Sequence, residues 1–355
     1  MWKDTAVSRR LNLDAPIIQG PFGSGLSSVD LVVAVSEKGG LGSFGVHHLD
    51  GAGMRDIAAK IRARTSRTFA LNLWIPLRDS DDPQLTDAQW HGALELLTPW
   101  YRELGVPLPD RPARFGPHYE EQVETLIELR PPVFSFVFGV PSASVLDRCR
   151  SAGIATIGAA TTPEEAKLLA DSGVDMVVAT GMEAGGHRVS FLREPEDCLT
   201  GTLALVPAVV DSVSVPVIAA GGIADGRGIA AVSKLGAAAA QIGTAFLACE
   251  ESNASPLHRQ MLFSDAARRT SLTRAFTGRL ARSVHNEFIE KLQADDVRLP
   301  PYPVQAWLTA QLRVAAVKAG RADVISLWSG QSAALLRNRR AGELMDSLVT
   351  AVNAL

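Results

Sequence analysis

The chain has few cysteines, no long apolar run and no excess of positive charge. Its three cysteines, Cys149, Cys198 and Cys249, lie far apart and match neither a metal-ligand spacing nor a disulfide framework. No apolar run approaches the roughly 20 residues that a membrane span needs. Lysine and arginine number 35 against 38 aspartates and glutamates, which leaves no basic surplus for a nucleic-acid backbone. These absences argue against a metal site, a membrane protein and a nucleic-acid binder.

The first residues also lack a targeting pattern. Met1-Trp2-Lys3-Asp4 contains no apolar core of a signal peptide, so we expect a cytoplasmic protein. The content of 46% hydrophobic and 21% charged residues is typical of a globular chain. At 355 residues it has room for one large barrel with additions or for two ordinary domains. A homodimer is the default expectation for such a protein.

Short apolar, β-branched runs alternate with helical patterns over the first 250 residues. Eight strands are predicted, at residues 16–19, 41–45, 69–74, 133–137, 155–157, 174–179, 215–220 and 239–242. Helix start signals stand between them, such as Ser27-Ser28-Val29-Asp30 and Thr161-Thr162-Pro163-Glu164-Glu165. Eight such units in this length favour a closed (β/α)₈ barrel with a parallel sheet.

An open doubly wound sheet is the structural alternative. It calls for a glycine-rich dinucleotide turn after the first strand. Gly20-Pro21-Phe22-Gly23-Ser24-Gly25 lacks the spacing of that turn, and Pro21 does not suit it.

Two regions interrupt the alternation. An insertion after the third strand and a helical C-terminal extension are predicted to form a lid over the barrel mouth. The predicted division therefore assigns residues 1–75 and 117–251 to the barrel, 76–116 and 252–322 to a substrate and lid region, and 323–355 to C-terminal helices.

Two glycine segments, one after each of the last two predicted strands, are candidates for phosphate binding. Ala219-Ala220-Gly221-Gly222-Ile223 and Gln241-Ile242-Gly243-Thr244 stand where barrels often bind phosphate through backbone N–H groups. Thr244 can add a hydroxyl and cap the following helix. Turn chemistry alone explains either segment, but two such segments at neighbouring strand ends favour a phosphate site.

The loop after the sixth predicted strand and one buried amide complete the candidates. Thr180-Gly181-Met182-Glu183-Ala184-Gly185-Gly186-His187 places three glycines and two titratable groups near the barrel mouth. A lone loop histidine is as often structural as catalytic, and Glu183 fits a loop-bracing carboxylate better than a base. Asn72, in an apolar strand, needs a hydrogen-bonding partner, either a flavin edge or neighbouring backbone.

In combination these segments resemble the nitronate monooxygenase family. The matching segments, in chain order, are Pro16-Ile17-Ile18-Gln19-Gly20-Pro21-Phe22, Asn72, Ser135-Phe136-Val137-Phe138-Gly139, Glu183-Ala184-Gly185-Gly186-His187, Ala220-Gly221-Gly222-Ile223, Gln241-Ile242-Gly243-Thr244, Pro301-Tyr302-Pro303 and Leu327-Trp328-Ser329-Gly330-Gln331. No single motif decides the resemblance, but their order and spacing extend it over nearly the whole chain.

The resemblance implies FMN bound at the carboxyl-terminal mouth of the barrel. By it, Gly20, Pro21 and Phe22 lie along the flavin ring and Asn72 contacts its polar edge. Thr180, Gly181 and Gly185 approach it from the sixth loop, and the phosphate is bound by Gly222, Gln241, Gly243 and Thr244. The implied reaction is the oxidation of alkyl nitronates by O₂ to a carbonyl compound and nitrite. His187 is the implied catalytic residue.

The chain departs from the family at two histidine positions. Val137 stands where the bacterial members usually carry a histidine on the fourth strand, and Gly158 is assigned to the place of a catalytic histidine on the fifth. The base for a neutral nitroalkane is therefore expected to be missing. A nitronate is already deprotonated and needs no such base. His47 and His48 are second-line candidates, although a role as loop-surface residues suits them better.

Two other functions remain open at this stage. The flavin-dependent enoyl-acyl-carrier-protein reductases have a loop similar to Gly185-Gly186-His187, which makes NAD(P)H-dependent reduction of an enoyl compound the alternative. A non-catalytic flavin-binding accessory protein is the second alternative, because binding and catalysis are separable.

Overall fold

The computed structural model describes residues 2–77, 83, 85–294 and 297–355. Residues 78–82 and 84 of the predicted insertion, and residues 295–296 of the extension, lie outside the described residues. Within the described ranges, no helix combines the length and the apolar character that crossing a bilayer requires.

Eleven strands are described. They are β1 (Ile17–Gln19), β2 (Gly42–Gly45), β3 (Phe69–Trp74), β4 (Val133–Val137), β5 (Ala155–Ala160), β6 (Met176–Thr180), β7 (Gly186–His187), β8 (Val217–Ala220), β9 (Ala239–Ile242), β10 (Thr270–Thr273) and β11 (Ala281–Val284). Eight of them form one parallel sheet in the order β1-β9-β8-β6-β5-β4-β3-β2. A parallel bridge between Ile18 and Leu41 joins its two ends. The sheet therefore closes into the predicted (β/α)₈ barrel.

Fourteen α-helices are described around and beyond this sheet. They are α1 (Ala6–Leu11), α2 (Val29–Glu37), α3 (Gly51–Arg62), α4 (Asp87–Glu103), α5 (Tyr119–Leu129), α6 (Ala143–Ser151), α7 (Pro163–Asp171), α8 (Thr202–Ser212), α9 (Gly226–Lys234), α10 (Thr244–Leu247), α11 (Pro256–Leu262), α12 (Glu287–Leu292), α13 (Val304–Lys318) and α14 (Ala341–Asn353).

The strand and helix-start predictions are confirmed, with shifts at some strand ends. Ser28 caps α2 and Thr162 caps α7, each through a side-chain oxygen that accepts a backbone N–H. The strand predicted at 155–157 extends to Ala160. Its added residues, Gly158 to Ala160, have weak strand propensity, but all three pair with β6, and Gly158 also pairs with β4. Tertiary pairing outweighs local propensity there.

The insertion and the extension contact each other. Helix α4 of the insertion carries Tyr101, whose hydroxyl donates to the carbonyl of Leu308 on α13 at 2.7 Å. A small antiparallel sheet, β10-β11-β7, joins the extension to the loop after β6. The last helix, α14, packs against α9 and α2. Both added regions are thereby attached to the barrel.

The barrel interior corrects one expectation from the sequence. Along β5 the side chains of Ile157 and Ala159 pack inside the barrel, so Gly158 faces outward. A Cβ at Gly158 would lie 2.5 Å from Cδ2 of Leu169 on α7 and 2.9 Å from Cε2 of Phe136. The assignment of Gly158 to a missing cavity histidine is therefore wrong. The β5 residue that faces the cavity is Ala159, which also carries no base.

Gly158→Ala should destabilise the fold by about 1–3 kcal/mol, because the new methyl group must displace the side chains of Leu169 and Phe136. Urea unfolding of the wild type and the variant measures this. The matched control is Gly92→Ala on α4, where no heavy atom lies within 4 Å of the added Cβ. Equal losses in both variants would contradict the outward orientation of Gly158.

Candidate functional site

One cavity opens at the carboxyl ends of the barrel strands. Eleven of the predicted site residues line it, namely Gly20, Pro21, Phe22, Asn72, Thr180, Gly185, His187, Gly222, Gln241, Gly243 and Thr244. They come from β1, β3, β6, β8 and β9 or the loops that follow them. Closure of the parallel sheet brings these strand ends together, although the residues are spread over more than 220 positions of sequence.

Gly181, the twelfth predicted residue, is not among the residues that line the cavity. Its N–H donates to the carbonyl of Ala220 at 2.9 Å. A Cβ at this position would lie 2.0 Å from Oγ1 of Thr202. The structure thus requires glycine there for close packing of the loop.

The two glycine segments give the cavity a wall of bare backbone. Gly221 and Gly222 have φ values of +106° and +71°, which disfavour a side chain. At Gly243 an added Cβ would meet no heavy atom within 4 Å. Gly243 itself precedes α10 as its N-cap residue, so the expectation that Thr244 caps this helix is wrong. Thr244 Oγ1 instead accepts the N–H of Gly330 at 2.8 Å.

Glu183 is confirmed as a loop-bracing carboxylate. Its two oxygens accept the backbone N–H of Thr202 at 2.9 and 3.0 Å, and Oε2 also accepts the Thr202 hydroxyl at 2.9 Å. Thr202 is the first residue of α8, where a negative charge is favourable. Thr202 could not be predicted from the sequence, because nothing in its local pattern indicates a partner 19 positions away.

Arg188 holds the rest of this loop. Its guanidinium is buried and donates to the carbonyls of Gly181 at 2.7 Å and of Thr180 and Cys198 at 3.1 Å. Burial lowers its pKa to about 10, so the group keeps its charge at neutral pH. Three carbonyl dipoles therefore compensate a buried cation.

Asn72 has a side-chain partner. Its Nδ2 donates to Oγ of Ser135 on the neighbouring strand β4 at 3.0 Å. The amide is 3% exposed and lies on the cavity wall. The partner is thus neither of the two that the sequence analysis considered, although the side chain is placed to contact a ligand.

The C-terminal tail completes the cavity. Trp328, Gly330 and Ser332 line it, and the N–H of Gln331 donates to the carbonyl of Glu183 at 2.9 Å. A Cβ on Gly185 would lie 2.5 Å from the backbone nitrogen of Gly330. The glycine of the β6 loop therefore allows the tail to pack directly on it. The sequence placed the extension over the barrel mouth but did not indicate which of its residues line the cavity.

Aromatic rings surround His187. The rings of Trp74 and Phe138 lie edge-on to His187, with centroid distances of 5.0 and 6.1 Å. The ring of Trp328 is tilted, with a centroid distance of 5.6 Å. Trp74 also stacks on His47, with 3.8 Å between the ring centroids and 6° between the ring planes. Phe138 has a φ of +70°, an unfavourable backbone conformation for a large side chain. Such strain is concentrated at functional sites, and neither Phe138 nor Trp328 was singled out as a site residue from the sequence.

The histidines at this end of the barrel are neutral. Burial and the nearby Arg279 lower the pKa of His187 to about 3. Burial, followed by His48, His187 and Arg279, lowers the pKa of His47 well below its usual value. His48 has a smaller reduction of its pKa, from burial and Arg313. Of the three, only His187 lines the main cavity.

Comparison with known proteins gives this site a family. The nitronate monooxygenase family model matches residues 5–351. A probable nitronate monooxygenase of Staphylococcus haemolyticus is 39% identical over 360 residues, which cover 100% of this chain and 99% of that protein. Another from Staphylococcus aureus strain Newman is 37% identical over 354 residues, covering 99% and 98%.

Solved structures agree with the sequence relatives. Nitroalkane oxidase from Streptomyces ansochromogenes superposes with a TM-score of 0.89 at 37% identity, covering 99% of this chain and 98% of that one. FabK from Thermotoga maritima gives a TM-score of 0.74 at 26% identity, covering 99% and 96%.

The fold, the cavity and these matches define the class as a flavin-dependent oxidoreductase built on a (β/α)₈ barrel. The chain belongs to the nitronate monooxygenase family. Membership of an enzyme family argues against the second alternative, a non-catalytic accessory protein.

Gly243→Ala should weaken flavin binding at least about tenfold without affecting folding of the protein itself. The added methyl group projects into free space in the cavity wall, so it contacts no protein atom but occupies room that a ligand needs. Fluorescence titration of the flavin-free protein and its unfolding curve measure both effects. Gly116→Ala, also without a heavy atom within 4 Å, is the control. Unchanged flavin affinity in Gly243→Ala would place the flavin elsewhere.

Proposed function

We propose that this protein binds FMN and oxidises alkyl nitronates with O₂, giving a carbonyl compound and nitrite. The bound flavin would supply the electron acceptor that passes electrons to O₂. The proposal is carried by one observation, the absence of a competent base among the described residues that line the cavity. The family membership and the geometry of the glycine wall support the cofactor.

The residues present fit FMN in particular. Gly222 and Gly243 leave backbone uncovered at the ends of β8 and β9, where a phosphate can approach N–H groups. We propose that Gln241 and Thr244 complete that phosphate site. Gly20, Pro21 and Phe22 would lie along the flavin ring, and Asn72 at its polar edge, with Thr180 and Gly185 opposite. Gly181 would act indirectly, through the packing of the loop.

The titratable side chains on the cavity wall favour a substrate that is already an anion. Glu183 is bound to the first residue of α8. His187, with a pKa of about 3, is uncharged and a weak base. Removal of an α-proton from a neutral nitroalkane needs a base of matched pKa. Oxidation of a nitronate needs none, since the proton is already gone.

We assign His187 the catalytic role of contacting the substrate as a neutral imidazole. The rings of Trp74, Phe138 and Trp328 would exclude water from the side of the cavity next to it. The guanidinium of Arg279 stacks over Phe138 at 4.5 Å and over Tyr302 at 3.9 Å. A cation next to this aromatic group would favour an anionic substrate.

Two further reactions would use the same fold. The Streptomyces relative is named a nitroalkane oxidase, which makes the neutral nitroalkane the nearest competitor as substrate. NAD(P)H-dependent reduction of an enoyl-acyl-carrier-protein substrate is the second candidate function. FabK, at 26% identity, is a more distant neighbour than the nitroalkane oxidase, at 37%. We therefore rank nitronate oxidation first.

The proposal also covers the roles of the chain regions, the cellular location and the oligomeric state. We propose that residues 76–116 and 252–322 cover the substrate, that residues 323–355 support them, and that 1–75 and 117–251 hold the flavin. We further propose that the enzyme acts in the cytoplasm on a small molecule and O₂, and that it forms a homodimer.

Alkyl nitronate should change the absorbance of the bound flavin under anaerobic conditions, whereas the neutral nitroalkane and NAD(P)H should not. The test titrates the FMN-loaded protein separately with each compound, at a pH where nitronate and nitroalkane interconvert slowly. Under air, nitrite should form from the nitronate with a kcat/KM at least about a hundredfold above that for the nitroalkane.

Each other outcome has a definite meaning. Comparable turnover of both nitro forms would show that a base is present and would refute the selectivity. Reduction of the flavin by NAD(P)H alone would favour the enoyl reductase. Val137→Ala alters the cavity wall without adding or removing an ionisable group, so it is the control for changes in cavity shape.

A further inference from the structure

His187 is held from two directions. Its backbone lies in β7 and pairs with Ala281 of β11. Its ring reaches the loop before β11, where Nε2 lies 3.0 Å from Oγ1 of Thr277. The ring orientation is therefore determined by the same hairpin that holds the backbone.

The Thr277 hydroxyl has only one hydrogen, and another group uses it. Oγ1 donates to the carbonyl of Arg279 at 3.0 Å and accepts the N–H of Arg279 at 3.2 Å. Toward His187 the oxygen can then offer only its remaining lone pair. With the hydroxyl hydrogen directed at the Arg279 carbonyl, Nε2 of His187 carries the hydrogen in this bond and Nδ1 carries a lone pair.

The other ring nitrogen is available to a ligand. His187 lines the main cavity, and its Nδ1 forms no hydrogen bond to any residue in the described part of the chain. The group stays uncharged at neutral pH because of burial and Arg279. His47 and His48, the other histidines near it, are neutral as well. Nδ1 is thus a hydrogen-bond acceptor and not a donor.

We propose that Thr277 is a positioning residue that holds His187 in the Nε2–H form, so that His187 presents an acceptor to the substrate. This extends the proposed function, on which its consequence for the substrate rests. A lone pair repels the anionic oxygens of a nitronate. The substrate therefore turns its α-carbon toward His187 and its oxygens away from it.

The loop that carries Thr277 is closely packed. The N–H of Gly278 donates to the carbonyl of Arg274 at 2.7 Å. A Cβ on Gly278 would lie 2.6 Å from the carbonyl oxygen of Pro300 and from the backbone nitrogen of Tyr302. Thr277 itself is 6% exposed. The hydroxyl has little freedom to exchange its partners.

Nitrogen-15 NMR of histidine-labelled, FMN-loaded protein tests the assignment without turnover. A long-range nitrogen–proton spectrum distinguishes the two neutral forms of each ring, and His187→Gln identifies the signals of His187. Wild type and Thr277→Ser should show the Nε2–H form. Thr277→Val removes the oxygen that accepts the hydrogen of His187 Nε2, so the spectrum should show the Nδ1–H form in addition to the Nε2–H form.

Kinetics then separates positioning from a merely structural role. Thr277→Val should lower kcat/KM for a nitronate about tenfold, and Thr277→Ser should recover most of it. Thr273→Val is the matched control, because Thr273 Oγ1 accepts the N–H of Ala275 in the same hairpin and makes no contact with His187. It should alter stability without altering the form of His187.

Two results would overturn the proposal. One is an Nδ1–H form of His187 in the wild type. The other is a Thr277→Val variant that keeps both the Nε2–H form and the wild-type kcat/KM. A protein that shows the Nε2–H form yet oxidises no nitronate would support the assignment of Thr277 and refute the proposed function instead.

Discussion

The candidate site depends on a buried guanidinium. Arg188 donates to three carbonyls that belong to the end of β6 and the turn before α8. A cation without those acceptors would be costly inside the protein, and carbonyls without the cation would be left unsatisfied. The same short loop carries Glu183, Gly185 and His187, so its shape determines where each of them lies. The bracing of Glu183 by Thr202, and the packing of Gly330 on Gly185, both require that shape.

The chemistry that the cavity can perform depends on the uncharged state of His187. His187 lies among aromatic rings and near Arg279, and both burial and that cation keep it neutral. A neutral, weakly basic imidazole suits a substrate that arrives without its proton. In our proposal the hairpin loop around Thr277 contributes as well, because it determines which nitrogen of the His187 ring faces the substrate. Specificity would then arise from the supporting hydrogen bonds as much as from the residues that touch the ligand.

Much of the architecture could be predicted because it repeats. Apolar strand runs and helix starts recur at a regular spacing, and each depends on residues close together in sequence. The glycine segments after β8 and β9 were predictable for the same reason, since strand ends of a parallel barrel meet at one face. The wrong predictions concern residues whose side-chain direction depends on tertiary packing. Gly158 was assigned to the cavity although its outward face packs on Leu169, and Thr244 was expected to cap α10 although it accepts the N–H of Gly330.

The sequence by itself determined the barrel, its family resemblance and eleven of the residues that line the cavity, because these depend on local periodicity and on ordered motifs. Only the tertiary structure decided that Gly181 packs behind the wall, that Ala159 is the β5 residue facing the cavity, and that Thr202, Phe138 and Thr277 belong to the site. Their partners are distant in sequence; Thr277 and His187, for example, are 90 positions apart. The physical reason is that side-chain direction and burial depend on what packs against a residue, and local sequence does not specify its distant neighbours.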